Sequence, residues 1–142
     1  NHVLFYCEDL PAVFSEVRRV LGEDGLFLCS TYGSCHMQEI SDLVRRFDSR
    51  IVLSAEKLYD RFGLENGREL LSPYFSDVQL LRYEDSIELD RAEPLIEYIL
   101  SCHGNQGQYI PERYREFFAY VKKRTNGGLR ITKDAGVFIG YC

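Results

Sequence analysis

The first 32 residues constrain the fold more than any other part of the chain. An apolar run, Val3-Leu4-Phe5-Tyr6, leads into an amphipathic stretch, a glycine-bounded turn and a second apolar run from Leu26 to Tyr32. Asn1 to Cys7 shows no polar alternation, the pattern of a central parallel strand buried on both faces. Asp9 is placed to cap a helix with Pro11 in its first turn. Leu10, Val13, Phe14, Val17, Val20 and Leu21 recur at helical spacing along it. Arg18 and Arg19 suit the negative end of the helix dipole, and Gly22 can close the helix in a left-handed conformation. Strand, helix, turn and strand together spell a βαβ unit, with parallel strands and a right-handed crossover.

Further along, a helix is expected from about His36 to Phe47 on Met37, Ile40, Leu43, Val44 and Phe47. Ser54 is expected to cap a short helix running through Phe62. Asn66 with Glu69 three residues on has the form of a capping box, opening a helix that carries Leu70, Leu71, Tyr74 and Phe75. Val78 to Asp90 alternates in part, as a strand near a sheet edge does. Pro94 and Pro111 each start a helix, Asn126-Gly127-Gly128 ends the second, and Leu129 to Cys142 forms a last strand. With no internal repeat or linker, residues 1–142 read as a single domain, residues 34–67 forming a helical cap or insertion.

Composition removes several function classes. Hydrophobic residues at 45% and charged residues at 27% suffice for a packed core, so disorder is excluded. No run of about 18 apolar residues occurs, so no membrane partner is expected. A net charge of −5 with scattered basic doublets argues against a nucleic-acid partner, which demands clustered cations. The five cysteines contain no Cys-x-x-Cys pair, which favours reduced thiols and a cytoplasmic location. The chain opens at Asn1 inside an apolar run, and the expectation is that a segment is missing upstream.

Asn1-His2-Val3-Leu4-Phe5-Tyr6, Glu8-Asp9, Phe14-x-Glu16-Val17-x-Arg19-Val20-Leu21 and Gly25 together resemble a stretch of class I S-adenosylmethionine-dependent methyltransferases. There a fourth strand of "Asn-His-x-Leu-Tyr-His" type is followed by a helix with "Leu-x-Glu-x-x-Arg-Val-Leu-Lys-Pro-Gly-Gly" and a fifth strand. Gly22-Glu23-Asp24-Gly25 replaces Lys-Pro-Gly-Gly, and Cys7 stands where His is common. The resemblance implies an α/β fold: a partial Rossmann-like sheet of strands equivalent to 4, 5, 7 and 6, the third antiparallel, flanked by helices. It implies the C-terminal part of a methyltransferase for a small-molecule methyl acceptor, with S-adenosylmethionine as cofactor of the whole protein.

The glycine-rich turn and acidic residue that hold such a cofactor are not in this sequence, so weak or absent binding is expected of the chain alone. By resemblance, Asn1 and His2 would lie near the methionine end of the cofactor, unless the truncated end frays. Tyr32 and His36 follow the fifth strand at its carboxyl end, where sites of open α/β sheets lie, and His36 could serve as a general base. His103, in Cys102-His103-Gly104-Asn105, is either a substrate contact or part of a helix C-cap. The pairs Cys35-His36 and Cys102-His103 do not have zinc-site spacing, so no metal is expected. The alternative to an enzyme is a binding or assembly module, forming a homodimer through the exposed edge of Val3–Tyr6.

Overall fold

A computed structural model describes residues 1–54 and 57–142. The chain divides into two compact units. The first comprises Asn1–His36, Lys57–Glu84 and Asp134–Cys142, and the second Met37–Glu56 and Asp85–Lys133. Three strands, β1 (Leu26–Tyr32), β2 (Asp77–Leu89) and β3 (Leu129–Tyr141), form one antiparallel sheet in the order β1-β3-β2. β1 and β3 pair with Leu26 opposite Tyr141 and Tyr32 opposite Ala135.

In the first unit, helix α1 (Leu10–Leu21) starts as expected: the Asp9 carboxylate accepts a 2.9 Å hydrogen bond from the Ala12 amide. It ends at Gly22, whose φ of 73° lies in the left-handed region, while Arg18 donates to the Gly22 carbonyl at 2.7 Å. Leu10 and Phe14 enter a core with Phe62, Leu71, Phe75 and Phe138. Val20 departs from the expected stripe and is 63% exposed. Two short helices, α3 (Leu58–Arg61) and α4 (Gly67–Leu71), complete this core. The expected start of the first of them after Ser54 falls at residues 55 and 56, outside the described residues.

Two expectations need correction here. The segment Asn1–Cys7 is not a strand, so among the described residues the sheet has three strands and not four, and this segment forms no parallel βαβ unit with β1. Leu4–Tyr6 forms a 3₁₀ turn, with Tyr6 and Cys7 amides donating to the Val3 and Leu4 carbonyls. Only Phe5 of the apolar run is fully buried, against Tyr32 with ring centroids 5.2 Å apart. With a neighbour on only one side, the backbone satisfies itself locally and turns its one large aromatic inward. Lastly, Asn66 does not box its helix: its carbonyl accepts from the Gly63 amide at 2.7 Å, and its amide donates to the Tyr59 and Asp60 carbonyls. Asn66 thus ties the preceding turn.

In the second unit, α2 (Gln38–Phe47), α5 (Ala92–Ser101), α6 (Gln106–Tyr109) and α7 (Tyr114–Thr125) surround a core of Ile40, Val44, Ile51, Ile99, Phe117 and Ile131. Pro111 opens a 3₁₀ turn that feeds α7, and Gly127 and Gly128 after it adopt φ of 97° and 94°. Among the described residues, no helix is long and apolar enough to cross a membrane.

Candidate functional site

At the carboxyl end of β1, Ser34, His36, Glu65, Arg82 and Asp134 all belong to the first unit, and they gather near Gly33. The Gly33 amide donates to the Asp134 carbonyl at 3.0 Å, which joins the end of β1 to β3. A Cβ on Gly33 would lie 2.3 Å from the Asp134 Oδ2 and 2.9 Å from the Glu65 Oε1. Two carboxylates therefore close over one glycine.

Each carboxylate has an assigned partner. The Ser34 amide and hydroxyl donate to Glu65 Oε1 at 2.9 and 3.0 Å. Burial alone would raise the Glu65 carboxyl, but the Ser34 amide, Glu65's own amide, the Ser34 hydroxyl and the Arg82 charge outweigh it and hold it below its ordinary value. Arg82 faces Asp134 at 3.3 Å in a loose ion pair, and the Asp134 side chain is only 10% exposed. An acidic residue at a buried position of β3 is rare without such pairing.

Asp134 also reaches His36. Its amide donates to His36 Nδ1 at 3.1 Å, so the neutral imidazole carries its proton on Nε2. The Nδ1 lone pair of His36 is engaged by this bond. His36, Tyr32 and His2 line up as a row of rings, with centroids 5.2 Å apart for Tyr32–His36 and 6.2 Å for His2–Tyr32. His2 holds a φ of 50°, in the left-handed region that disfavours a side chain, and its amide donates to the Ser30 carbonyl at 3.1 Å. Partial burial keeps its imidazole below the ordinary value. The Asn1 side-chain Oδ1 accepts from the Ser30 hydroxyl at 3.1 Å.

Of the residues expected from the sequence, the structure brings Asn1, His2, Tyr32 and His36 together beside the end of β1. His103 lies in the second unit, exposed, on a turn whose neighbours are structural. A Cβ on Gly104 would overlap the Val52 carbonyl oxygen at 1.8 Å, and Asn105 is hydrogen-bonded to Arg50 and Val52. Glu65, Arg82 and Asp134 are the site residues that sequence reasoning missed. The signal for Asp134 was present: it is the one carboxylate of the final strand, whose other charges, Arg130 and Lys133, are basic. Nothing local marks Glu65 or Arg82.

Among the described residues, no group of three or more His, Cys, Asp or Glu side chains is arranged to hold a metal ion. None of the described strands is followed by a glycine-rich turn that opens a helix, and the Asn1 side chain is committed to Ser30. The residues present therefore do not fit the nucleoside of an S-adenosylmethionine, whose adenosine and ribose need such a cradle. A separate groove of about 190 Å³ in the second unit, lined by Leu43, Arg46, Tyr120 and Arg124, includes none of the expected site residues.

No family model matches the chain. Over 48 residues, 34% of its length, it is 40% identical to the malonyl-[acyl-carrier protein] O-methyltransferase of Nitrosospira multiformis. The relationship is to a methyltransferase. The matched stretch spans 16% of that protein.

Proposed function

We propose that this chain is the C-terminal portion of a class I S-adenosylmethionine-dependent methyltransferase acting on a small molecule, and that it is inactive without a cofactor-binding portion. The observation that carries the reading is the stretch 40% identical to a methyltransferase. The strand arrangement supports it: β3 lies between β1 and β2 and runs antiparallel to β1, the arrangement the resemblance implies for strands 5, 7 and 6. On this reading β1 is the fifth strand, and the His2–Tyr32–His36 row lies where sites of open α/β sheets form.

Within that site this chain's own residues orient and donate. His36 is held through Nδ1 by the Asp134 amide, Tyr32 supplies an aromatic face, and Glu65 and Asp134 hold Ser34 and Arg82 in place. Methyl transfer from a sulfonium asks mainly for alignment of donor and acceptor, to which such a hydrogen-bonded cluster contributes.

The test has two parts. Calorimetric titration of residues 1–142 with S-adenosylmethionine should show no tight binding, and tight binding by this chain alone would contradict the reading. The reading frame upstream of the Asn1 codon should encode a Gly-x-Gly-x-Gly turn, and its full product should transfer a labelled methyl group. A frame without that turn, or a product that binds no S-adenosylmethionine, refutes the assignment.

A further inference from the structure

We propose that Asn126–Gly127 is a site of spontaneous modification, where the Asn126 side chain cyclises onto the Gly127 amide and hydrolyses to aspartate and isoaspartate. The inference rests on the turn after α7 and does not draw on the methyltransferase reading.

The sequence holds two Asn-Gly pairs, Asn66–Gly67 and Asn126–Gly127. A glycine leaves the amide that follows an asparagine unshielded, because it has no Cβ. In the reaction the Gly127 amide gives up its proton and its nitrogen attacks Asn126 Cγ. The new N–Cγ bond forms as the Cγ–Nδ2 bond breaks, and Nδ2 leaves with that proton as ammonia. Water then opens the five-membered ring at one of its two carbonyl carbons. Opening at Cγ gives aspartate. Opening at the Asn126 backbone carbon gives isoaspartate, with the main chain rerouted through the side chain. Sequence alone makes the two pairs equal.

The fold makes them unequal. Asn126 is exposed, its side chain makes no hydrogen bond among the described residues, and the attacking Gly127 amide has no acceptor there. Attack requires rotation about the Asn126 ψ, 110° here, against one hydrogen bond, from the Gly128 amide to the Thr125 carbonyl at 3.0 Å. Asn66 is tied down instead. Its Oδ1 accepts from the Gly63 amide at 2.7 Å and its Nδ2 donates to the Asp60 carbonyl at 2.8 Å. The Gly67 amide donates to the Gly63 carbonyl at 2.9 Å, and Gly67 is buried. Cyclisation at Asn66 therefore opens three hydrogen bonds where Asn126 opens one. Two hydrogen bonds of ordinary net strength are a factor of at least about ten in rate. Either product adds negative charge at the C-terminal end of α7, where the helix carbonyls already concentrate it, and isoaspartate lengthens the turn into β3.

Peptide mapping by mass spectrometry tests this on residues 1–142 aged at mildly alkaline pH in heavy-oxygen water. The expected result is conversion of Asn126 to aspartate and isoaspartate, each carrying one heavy oxygen, at least about tenfold faster than conversion of Asn66. In urea, where neither asparagine is held, the two rates should converge. Equal rates in the folded chain overturn the proposal, and so does an Asn126 that keeps its amide while the unfolded chain loses it. A difference that persists undiminished in urea also overturns it, since the selectivity would then come from the neighbouring sequence and not from the fold.

Discussion

Gly104→Ala is expected to be among the most damaging single-methyl additions in the second unit. The added Cβ would sit 1.8 Å from the Val52 carbonyl oxygen and 2.7 Å from the Leu53 carbonyl carbon, both backbone atoms that cannot swing aside. Reaching an ordinary contact of 3.4 Å requires the two segments to part by about 1.6 Å. Three hydrogen bonds cross this gap: the Asn105 amide to the Val52 carbonyl at 2.9 Å, the Val52 amide to the Asn105 side-chain oxygen at 2.7 Å, and the Asn105 side-chain amide to the Arg50 carbonyl at 2.9 Å. A separation of that size carries all three beyond hydrogen-bonding range. At about 1 kcal/mol each, the loss is about 3 kcal/mol before any strain is counted. For a chain of this size that lowers Tm by roughly 10 °C. Gly107→Ala, three residues on, is the internal control. Its Cβ meets nothing within 4 Å and it lies in α6, so alanine there should be neutral or stabilising by up to about 1 kcal/mol. Urea unfolding of both variants decides the matter. A Gly104→Ala protein within about 0.5 kcal/mol of the parent would refute the reasoning, since ordinary surface changes fall in that range.

Three further outcomes follow from the same geometry. Long-range ¹H–¹⁵N correlation spectra of the neutral protein should show His36 protonated at Nε2, because Nδ1 accepts from the Asp134 amide, and an Nδ1–H tautomer would contradict that bond. Burial pushes the Cys29 thiol up to about 12, so mass spectrometry after alkylation at mild alkaline pH should find exposed Cys35 modified and Cys29 untouched until the protein unfolds. Hydrogen bonds from Arg50, with the charge of Arg113, hold the Asp48 carboxyl well below the ordinary aspartate value. Its stabilisation is fully present above the unfolded value of about 3.9 and fades as pH falls below it. Asp48→Asn should therefore flatten the acid limb of a stability-versus-pH curve, and an unchanged limb would remove Asp48 from that role.

Local chemistry made much of the fold legible. The α1 boundaries follow from Asp9 and Gly22, whose effects operate within a few residues and need no tertiary partner. The apolar spacing of α2 was equally readable, since Met37, Ile40, Leu43, Val44 and Phe47 all join one core. β2 and β3 were visible from composition and alternation. For the site, the sequence indicated the end of β1, because a glycine after an apolar strand marks where the chain leaves the sheet.

What tertiary structure decided is which backbone groups find partners. The apolar run at Val3–Tyr6 reads as a strand, yet a strand exists only when a neighbour completes its ladder. With none on its outer side, the segment closes its own hydrogen bonds and buries Phe5. The same holds for Asn66, whose side chain found the Gly63 amide before its own helix. Glu65, Arg82 and Asp134 are 17 to 69 residues apart in the chain, and only the folding of three segments around Gly33 makes them one cluster. Spacing in sequence records local geometry, whereas electrostatic partnership depends on distances that the folded sheet alone establishes.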